Sequence, residues 1–193
     1  MVEIEQVGSE ALGQYAEIPI AFEVKSVLRV EPLDGGLGGF RLREEAVVPP
    51  YVKDYDAYEE GGPEGWPTRF SVDEWGFYLA WENGRCVGGA AAAYGVSGMH
   101  MLEGQDDLAV LWDIRVERDA RGCGIGRRLF EHAADWARRR GCTRLKAETQ
   151  NVNVPACRFY AAQGCELGAI HRYGYAGVPL VAHEAMLLWY LEL

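Results

Sequence analysis

One stretch of the sequence decides the fold: residues 108–128, LAVLWDIRVERDARGCGIGRR. It begins with an almost continuously apolar run, which is typical of a strand covered on both faces of a sheet. A short charged segment follows, and then come three alternating glycines, Gly122, Gly124 and Gly126. From there to residue 140, apolar residues recur every three to four positions, which indicates one face of a helix. The stretch therefore predicts a strand, a glycine loop and a helix.

The glycine loop has the composition of an anion-binding site. Glycine lets the backbone turn sharply beside a bulky group, and the N–H groups at a helix N-terminus attract negative charge. Arg127 and Arg128 fall in the first predicted helical turn, where each cation opposes the helix dipole by about 0.3–1 kcal/mol. With Arg121 they form a basic cluster in a chain of formal net charge −10. A bound anion explains this cluster; the alternative is a solvated helix end. The residues after Gly124 fit neither a Walker loop nor a dinucleotide fingerprint.

The remaining segments predict a mixed sheet. Strands are predicted at residues 2–7, 22–30, 39–48, 76–82, 86–94, 108–116, 145–149, 166–175 and 184–190. Asn83 and Gly84 predict a type I′ hairpin turn between two of them. Helices are predicted at residues 9–21, 125–140 and 155–163, and an irregular loop or short helices at residues 49–68. Strands followed by alternating strands and helices predict an α/β fold, with an α+β mixed sheet.

Bulk properties limit the classes of function. The length suits a single domain, residues 1–193, although residues 1–70 carry no interpretable motif. The sequence predicts neither a membrane span nor a secretory signal, so a cytoplasmic protein is expected. The net charge of −10 disfavours nucleic acid as a partner and favours small cations, although solubility alone also explains it. A homodimer is compatible with the sequence, which does not determine the oligomeric state.

The five cysteines carry no recognisable metal-binding or disulfide pattern. None forms a CxxC pair, and the four histidines lie at no ligand spacing relative to them. We therefore expect reduced thiols, mostly small buried side chains, and no metal. A single nucleophilic cysteine stays an alternative.

Two motifs resemble the GNAT family of N-acetyltransferases. The first follows a strand, is similar to the family's coenzyme A loop RxxGxG, and consists of Arg121, Gly124 and Gly126. The second is similar to the family's second half and consists of Asn153, Ala156 and Tyr160. The resemblance covers roughly residues 75–193. It implies a central mixed β-sheet flanked by helices.

The resemblance also implies acetyl-CoA as the co-substrate, without a metal. Backbone N–H groups of the glycine loop would hold the pyrophosphate, and the pantetheine arm would pair like an added strand along residues 114–116. A side chain from the second motif would contact the arm. The residues so implied to bind acetyl-CoA are Ile114, Arg115, Val116, Arg121, Gly122, Cys123, Gly124, Ile125, Gly126, Arg127 and Asn153.

Three residues are candidates for catalysis: Tyr160, Asp113 and Glu148. An amine with a pKa near ~10.4 must lose a proton before it attacks, so a carboxylate that accepts this proton is useful. Asp113 is the first candidate for this proton acceptor and Glu148 the second. Asp113 interrupts an apolar strand, which is unfavourable unless the acid is functional or paired, with Arg115 or with a neighbouring strand. Glu148 either binds the cation or relays its proton, or is a solvated edge residue. The resemblance implies that Tyr160 directs its hydroxyl at the sulfur; otherwise it is a core aromatic.

One subgroup of the family is especially similar, the streptothricin (nourseothricin) acetyltransferases. The similar segments are residues 111–116 (LWDIRV), 148–160 (ETQNVNVPACRFY) and 163–170 (QGCELGAI). This resemblance implies that the amine is on the β-lysine part of streptothricin, a cationic antibiotic, and that acetylation confers resistance. The acidic run 54–60 is available to hold ammonium groups. The alternatives are an acetyltransferase of protein N-termini or other small amines, and an acyl-CoA-binding module without turnover.

Overall fold

Within residues 2–57 and 62–193, which the computed structural model describes, the chain forms nine strands and four α-helices. The strands are β1 (Val2–Val7), β2 (Phe22–Pro32), β3 (Phe40–Lys53), β4 (Gly76–Glu82), β5 (Arg85–Ala93), β6 (Leu108–Val116), β7 (Arg144–Gln150), β8 (Glu166–His171) and β9 (Met186–Glu192). The helices are α1 (Leu12–Ala16), α2 (Trp66–Arg69), α3 (Ile125–Arg139) and α4 (Val154–Ala162). Residues 58–60 of the acidic run lie outside the described residues.

The strands confirm the predicted mixed sheet. Seven of the described strands form one sheet in the order β1-β4-β5-β6-β7-β9-β8, and β2 pairs with β3 in a separate ribbon. The pairing of β6 with β7 is parallel, whereas the β1–β4, β4–β5, β5–β6 and β8–β9 pairs are antiparallel. The fold is therefore α/β with helices against a mixed sheet.

Local sequence signals explain the central elements. Asn83 and Gly84 both have positive φ, 53° and 77°, as the predicted type I′ turn between β4 and β5 requires. The buried side chains of α3 recur at helical spacing from Ile125 to Ala137, which confirms the predicted amphipathic helix. Strand β6 has the predicted bounds, and its first four residues are buried.

The structure corrects the sequence predictions in several segments. The α-helix predicted at residues 9–21 is confined to Leu12–Ala16, and the last strand, predicted at residues 184–190, is Met186–Glu192. Strand β3 continues to Lys53, through residues 49–53 that were predicted as irregular. The prolines at 49 and 50 are tolerated because the β2–β3 register shifts there: Ser26 faces Ala46, whereas Val24 faces Tyr51. The predicted strand 166–175 ends at His171, after which turns run to the start of β9.

The described residues form two compact units. The first comprises the described parts of Met1–Ala21, Asp54–Ala147 and Leu191–Leu193. Its core holds a cluster of stacked and edge-to-face aromatic rings, in which Trp66 contacts Tyr15, Trp75 and Phe77 at centroid distances of 5.6, 5.9 and 6.5 Å. This cluster packs the inner face of α1 and α2 against β4.

The second unit comprises Phe22–Lys53 and Glu148–Tyr190. Two buried polar contacts join its two chain segments. The Lys53 ammonium donates to both carboxylate oxygens of Glu184, and their side chains are 2% and 3% exposed. The Leu28 N–H donates to the Asn151 carbonyl at 2.8 Å, and the Asn151 amide returns a bond to the Leu28 carbonyl at 3.0 Å. The β2–β3 ribbon is thereby fixed to the C-terminal segment of the chain.

Candidate active site

The glycine loop leads into an uncapped helix. Gly122 and Gly124 have φ of 81° and 82°, a backbone region that favours glycine, and Gly124 is the residue before α3. The Gly124 carbonyl accepts the first helical hydrogen bond, from the N–H of Arg128 at 3.1 Å. Among the described residues, no side chain caps this helix. The N–H groups of the first turn, which lack acceptors within the helix, are therefore available to an anion.

Space is also present over the loop. A side chain added at Gly122 or Gly124 would meet none of the described atoms within 4 Å. The Ile125 side chain is buried in the core, so only its backbone fits the predicted cofactor role. Exposed glycine backbone and an uncapped helix start suit the pyrophosphate of acetyl-CoA.

The arginines around the loop have other partners. The Arg121 guanidinium donates to the carbonyls of Val116 at 2.8 Å and Ala21 at 3.4 Å, so it braces the loop against the end of β6. Burial and the nearby charge of Arg118 lower the pKa of Arg121. Arg127 forms an exposed ion pair with Glu131 at 2.8 Å. The positive end of this site therefore comes chiefly from backbone N–H groups.

Strand β6 has one edge that is only partly paired with its parallel neighbour. Its pairing with β7 runs from Leu108–Arg144 to Leu111–Ala147, whereas β6 continues to Val116. Its other edge pairs with β5, with one register shift at Trp112. Residues 114–116, predicted to receive the pantetheine arm, lie in this extension beyond the pairing with β7.

Asp113 lies in a hydrogen-bonded ion pair. Its carboxylate accepts bonds from the Tyr15 hydroxyl at 2.6 Å and from Arg115 Nε and Nη2 at 2.9 and 2.7 Å. The Arg115 side chain is 1% exposed and also donates to the carboxylate of Asp56 at 2.9 and 3.1 Å and to the Ile18 carbonyl at 3.1 Å. The structure thus contains the ion pair with Arg115 that was the alternative interpretation of Asp113. The proposed catalytic role of Asp113 stays a prediction.

Tyr15 is a part of the site that the sequence prediction missed. The Arg115 side chain was predicted only as the alternative ion-pair partner of Asp113, and Tyr15 was not predicted at all. Burial first, and then the charge of Asp113, raise the pKa of Tyr15 well above 10, so its hydroxyl remains a donor. Gly89 makes room for the Tyr15 ring, because a Cβ at that position would lie 2.5 Å from a ring carbon. The charged pair two residues apart in an apolar strand was the available signal for Arg115.

Glu148 is half-buried on β7 and also contacts a tyrosine. The Tyr175 hydroxyl donates to Glu148 Oε1 at 2.5 Å and accepts a bond from Gln150 Nε2 at 2.9 Å. Tyr175 lies in the turns between β8 and β9, and nothing in the sequence near Glu148 indicates this contact. The arrangement holds the carboxylate in one orientation, and its catalytic role stays a prediction.

The second motif of the sequence forms helix α4. Asn153 caps the helix, because its Oδ1 accepts the N–H of Ala156 at 3.1 Å. Tyr160 is buried on the same helix, with its ring 5.4 Å from that of Phe159 and 6.5 Å from that of Trp189. Contact of Asn153 with the pantetheine arm and proton donation by Tyr160 stay predictions.

All five cysteines are free thiols in the structure. Burial raises the pKa of Cys157 to about 12 and that of Cys165 to about 11, which makes both poor nucleophiles at neutral pH. Cys123, within the glycine loop, is exposed. The described residues contain no cluster of three potential metal ligands. No helix in the described part of the chain is both long and apolar enough to span a membrane.

Comparison with known proteins identifies the family. The profile of the acetyltransferase (GNAT) family matches residues 44–165. The chain is 31% identical to a streptothricin acetyltransferase of Escherichia coli over 88% of this chain and 84% of the relative. A crystal structure of nourseothricin acetyltransferase superposes with a TM-score of 0.76 at 25% identity, over 99% and 98% of the two chains. A structure from Bacillus anthracis, in complex with acetyl coenzyme A, shares the fold with a TM-score of 0.77 at 24% identity, over the whole of both chains. The chain therefore belongs to the GNAT family and is an acetyl-CoA-dependent N-acetyltransferase.

Proposed function

We propose that this N-acetyltransferase acetylates an amine on the β-lysine part of streptothricin and so inactivates the antibiotic. The observation that carries the substrate is the 31% identity to a streptothricin acetyltransferase over most of both chains. Streptothricins are polycations, and acetylation converts an ammonium into a neutral amide, with loss of one charge and several donors. A net charge of −10 would attract such a substrate, an effect that weakens as salt increases.

The proposed acetyl-CoA site is built on the first unit. The N–H groups from Gly122 to Arg127 would bind the pyrophosphate, and the part of β6 beyond Leu111 would receive the pantetheine arm through backbone hydrogen bonds. Support comes from the uncapped start of α3 and from the limited pairing of β6 with β7. Acetyl-CoA supplies the activated acetyl group as a thioester.

The proposed chemistry is proton removal from the amine, followed by attack of nitrogen on the thioester carbonyl. The new C–N bond forms as the C–S bond breaks. Glu148 would accept the proton, since its carboxylate is half-buried and oriented by the Tyr175 hydroxyl. Tyr160 would donate a hydrogen bond to the departing sulfur and pass its proton to the thiolate, and the second proton, which the nitrogen releases as the amide forms, would restore the Tyr160 hydroxyl.

Asp113 has a positioning role in this proposal. Two of its three described hydrogen bonds come from the guanidinium of Arg115, so a proton transferred to Asp113 would displace a charged donor. The pair instead connects β6 to Asp56, which precedes the undescribed residues 58–61. We expect Asp113 to keep residues 112–116 in the conformation that the cofactor needs.

The test is a comparison of kcat/KM for streptothricin, an aminoglycoside, free lysine and a peptide with a free N-terminus, with products identified by mass spectrometry. Streptothricin should give the highest kcat/KM and a product acetylated on β-lysine. Turnover of the peptide or another amine without any acetylated streptothricin would contradict the substrate. Absence of thiol release with every amine would favour an acyl-CoA-binding module.

A further inference from the structure

The amide oxygen of Gln150 is a buried acceptor without a donor. In residues 2–57 and 62–193, the buried side-chain polar atoms that lack a hydrogen-bond partner are four indole nitrogens and this one oxygen, Gln150 Oε1. Buried polar groups are almost always paired, because water no longer satisfies them. An unpaired acceptor is therefore a feature that a ligand can complete.

The orientation of this amide follows from the single proton of a hydroxyl group. The Tyr175 hydroxyl donates its proton to Glu148 Oε1 at 2.5 Å, so it can only accept a bond from Gln150. The Gln150 atom that faces it, at 2.9 Å, must then be the N–H₂ group. The oxygen Oε1 consequently points away from Tyr175. The two bonds together hold Glu148 and Gln150 in one arrangement.

Glu148 and Gln150 also share one face of a strand. They are two residues apart on β7, and alternate side chains of a strand lie on the same side. Both follow Ala147, the last residue of β7 that pairs with β6. Beyond that pair, this face presents one carboxylate and one neutral carbonyl oxygen, linked through Tyr175.

We propose that Glu148 and Gln150 form the binding subsite for the acceptor amine, with Tyr175 as a positioning residue that acts through both. A primary ammonium has three N–H donors and no acceptor, so it complements two oxygen acceptors. One N–H bond breaks and its proton passes to Glu148, while the electron pair stays on nitrogen. The neutral amine then keeps two N–H bonds, one of which remains on Gln150 Oε1. This inference rests on the proposed role of Glu148.

The subsite selects for amines that keep an N–H donor after they lose a proton. A primary amine retains a donor for Gln150 after it loses its proton, whereas a tertiary amine does not. Gln150 therefore contacts the nitrogen in both its charged and its neutral form, whereas the Glu148 carboxylate attracts the charged form and accepts its proton. Without Gln150, the amine would bind more weakly, because the carboxylate alone would hold it, and it would lose its orientation at the moment of attack.

The experiment compares Gln150→Met, which keeps the length of the side chain without its polar atoms, with Gln150→Glu, which keeps an acceptor oxygen. Gln150→Met should raise the KM for streptothricin roughly 10-fold or more, since a hydrogen bond to a charged donor is lost. Its KM for acetyl-CoA should stay within about two-fold, because only the amine side is altered. The melting temperature should change little, because the variant removes an unpaired buried oxygen and also loses the hydrogen bond from Nε2 to the Tyr175 hydroxyl. Gln150→Glu should give a lower KM for streptothricin than Gln150→Met does, because it keeps an acceptor for the ammonium, although it loses the bond that the amide donates to Tyr175.

Tyr175→Phe tests the positioning role against a matched change in the same turns. It should raise the KM for streptothricin and lower kcat, because Glu148 and Gln150 lose their common partner. Tyr173→Phe, at an exposed tyrosine, should change neither. A Tyr175→Phe enzyme with wild-type kinetics would show that the hydroxyl does not position the subsite.

Two results would overturn the subsite itself. If Gln150→Met raises the KM for acetyl-CoA and leaves that for the amine unchanged, the oxygen serves the pantetheine arm instead. If both values stay unchanged, the oxygen binds neither substrate. A wild-type enzyme that does not acetylate streptothricin contradicts only the proposed substrate, and the same ratios are then measured with the amine that gives product.

Discussion

Two carboxylates in the protein accept the same kind of hydrogen bond but differ in the other groups that lie beside them. Asp113 and Glu148 each accept a short hydrogen bond from a tyrosine hydroxyl, at 2.6 and 2.5 Å. The charge of Asp113 is balanced inside the fold by the buried guanidinium of Arg115. The hydroxyl on Glu148 is itself held by a neutral amide, that of Gln150. This difference is the reason for our proposal that Asp113 stabilises the protein and that Glu148 exchanges a proton with the substrate.

The largest effect should come from the loss of the second carboxylate. Glu148→Gln should lower kcat by about 10²–10⁴-fold at pH 7, because the substrate ammonium loses its proton acceptor. The loss should shrink as the pH approaches the amine pKa near ~10.4, where the substrate is already neutral. Steady-state kinetics from pH 7 to 10 measure both effects.

Glu166→Gln, an exposed change of the same kind on β8, is the control and should be silent. For Asp113→Asn we expect a loss of activity of equal size at pH 7 and pH 10. A loss at Asp113 that disappears at high pH, with none at Glu148, would reverse the assignment of the two acids.

The free energy of unfolding should fall more for Asp113→Asn than for Glu148→Gln, which is the reverse of the order expected for kcat. Asp113→Asn leaves the buried Arg115 with Asp56 as its remaining acidic partner, and we expect the free energy of unfolding to fall by about 3 kcal/mol. Glu148→Gln keeps an acceptor oxygen for the Tyr175 hydroxyl and should cost less than about 1 kcal/mol. Urea unfolding of both variants measures the difference. Equal destabilisation would mean that the two carboxylates have equivalent structural roles.

Alkaline pH should weaken the cluster around Asp113. Because the pKa of Tyr15 is raised above 10, the unfolded chain releases this proton at a lower pH than the folded protein does. Above pH 10, the free energy of unfolding should therefore fall with pH, by about 1.4 kcal/mol per unit for this one residue. Cys157 and Cys165, with raised pKa values, act in the same direction. Tyr15→Phe should flatten the slope, and an unchanged slope would contradict the burial of this hydroxyl.

A smaller effect is expected for the chemical reactivity of Cys123 in the glycine loop. Cys123 is exposed between Gly122 and Gly124, whereas Cys142, Cys157 and Cys165 are buried. Iodoacetamide should modify Cys123 first, and acetyl-CoA should slow that reaction several-fold by covering the loop. Peptide mass spectrometry follows the site, and Cys123→Ser should remove the fast phase. Equal rates with and without acetyl-CoA would place the cofactor elsewhere.

Sequence patterns predicted correctly those elements whose conformation is determined by residues close together in the sequence. The apolar run of β6, the helical spacing of α3 and the Asn83–Gly84 turn all appear where the sequence predicts them. The β2–β3 ribbon extends further than predicted, because prolines are acceptable at a shift of register. That shift depends on the partner strand and has no signature within β3 itself.

The sequence predicted which residues belong to the candidate site better than it predicted the contacts that those residues make. Asp113 stands out as an acid in an apolar strand, and Glu148 lies in the next strand of the chain, yet their hydroxyl partners lie 98 and 27 residues away in the sequence. Contacts at such separations depend on how the elements pack. The same applies to Arg121, whose charge indicated an anion, while its guanidinium holds two carbonyl groups of the backbone.

The buried pair of Lys53 and Glu184 constrains how the protein can be shortened. The family profile begins at residue 44, so all of β2 and the first residues of β3 precede it. Removal of the whole ribbon would nevertheless leave Glu184, 3% exposed, without its cation. A stranded buried charge costs about 3–5 kcal/mol, a large share of the stability of a typical domain. We therefore expect that truncation or evolutionary loss of the ribbon requires a simultaneous change at Glu184.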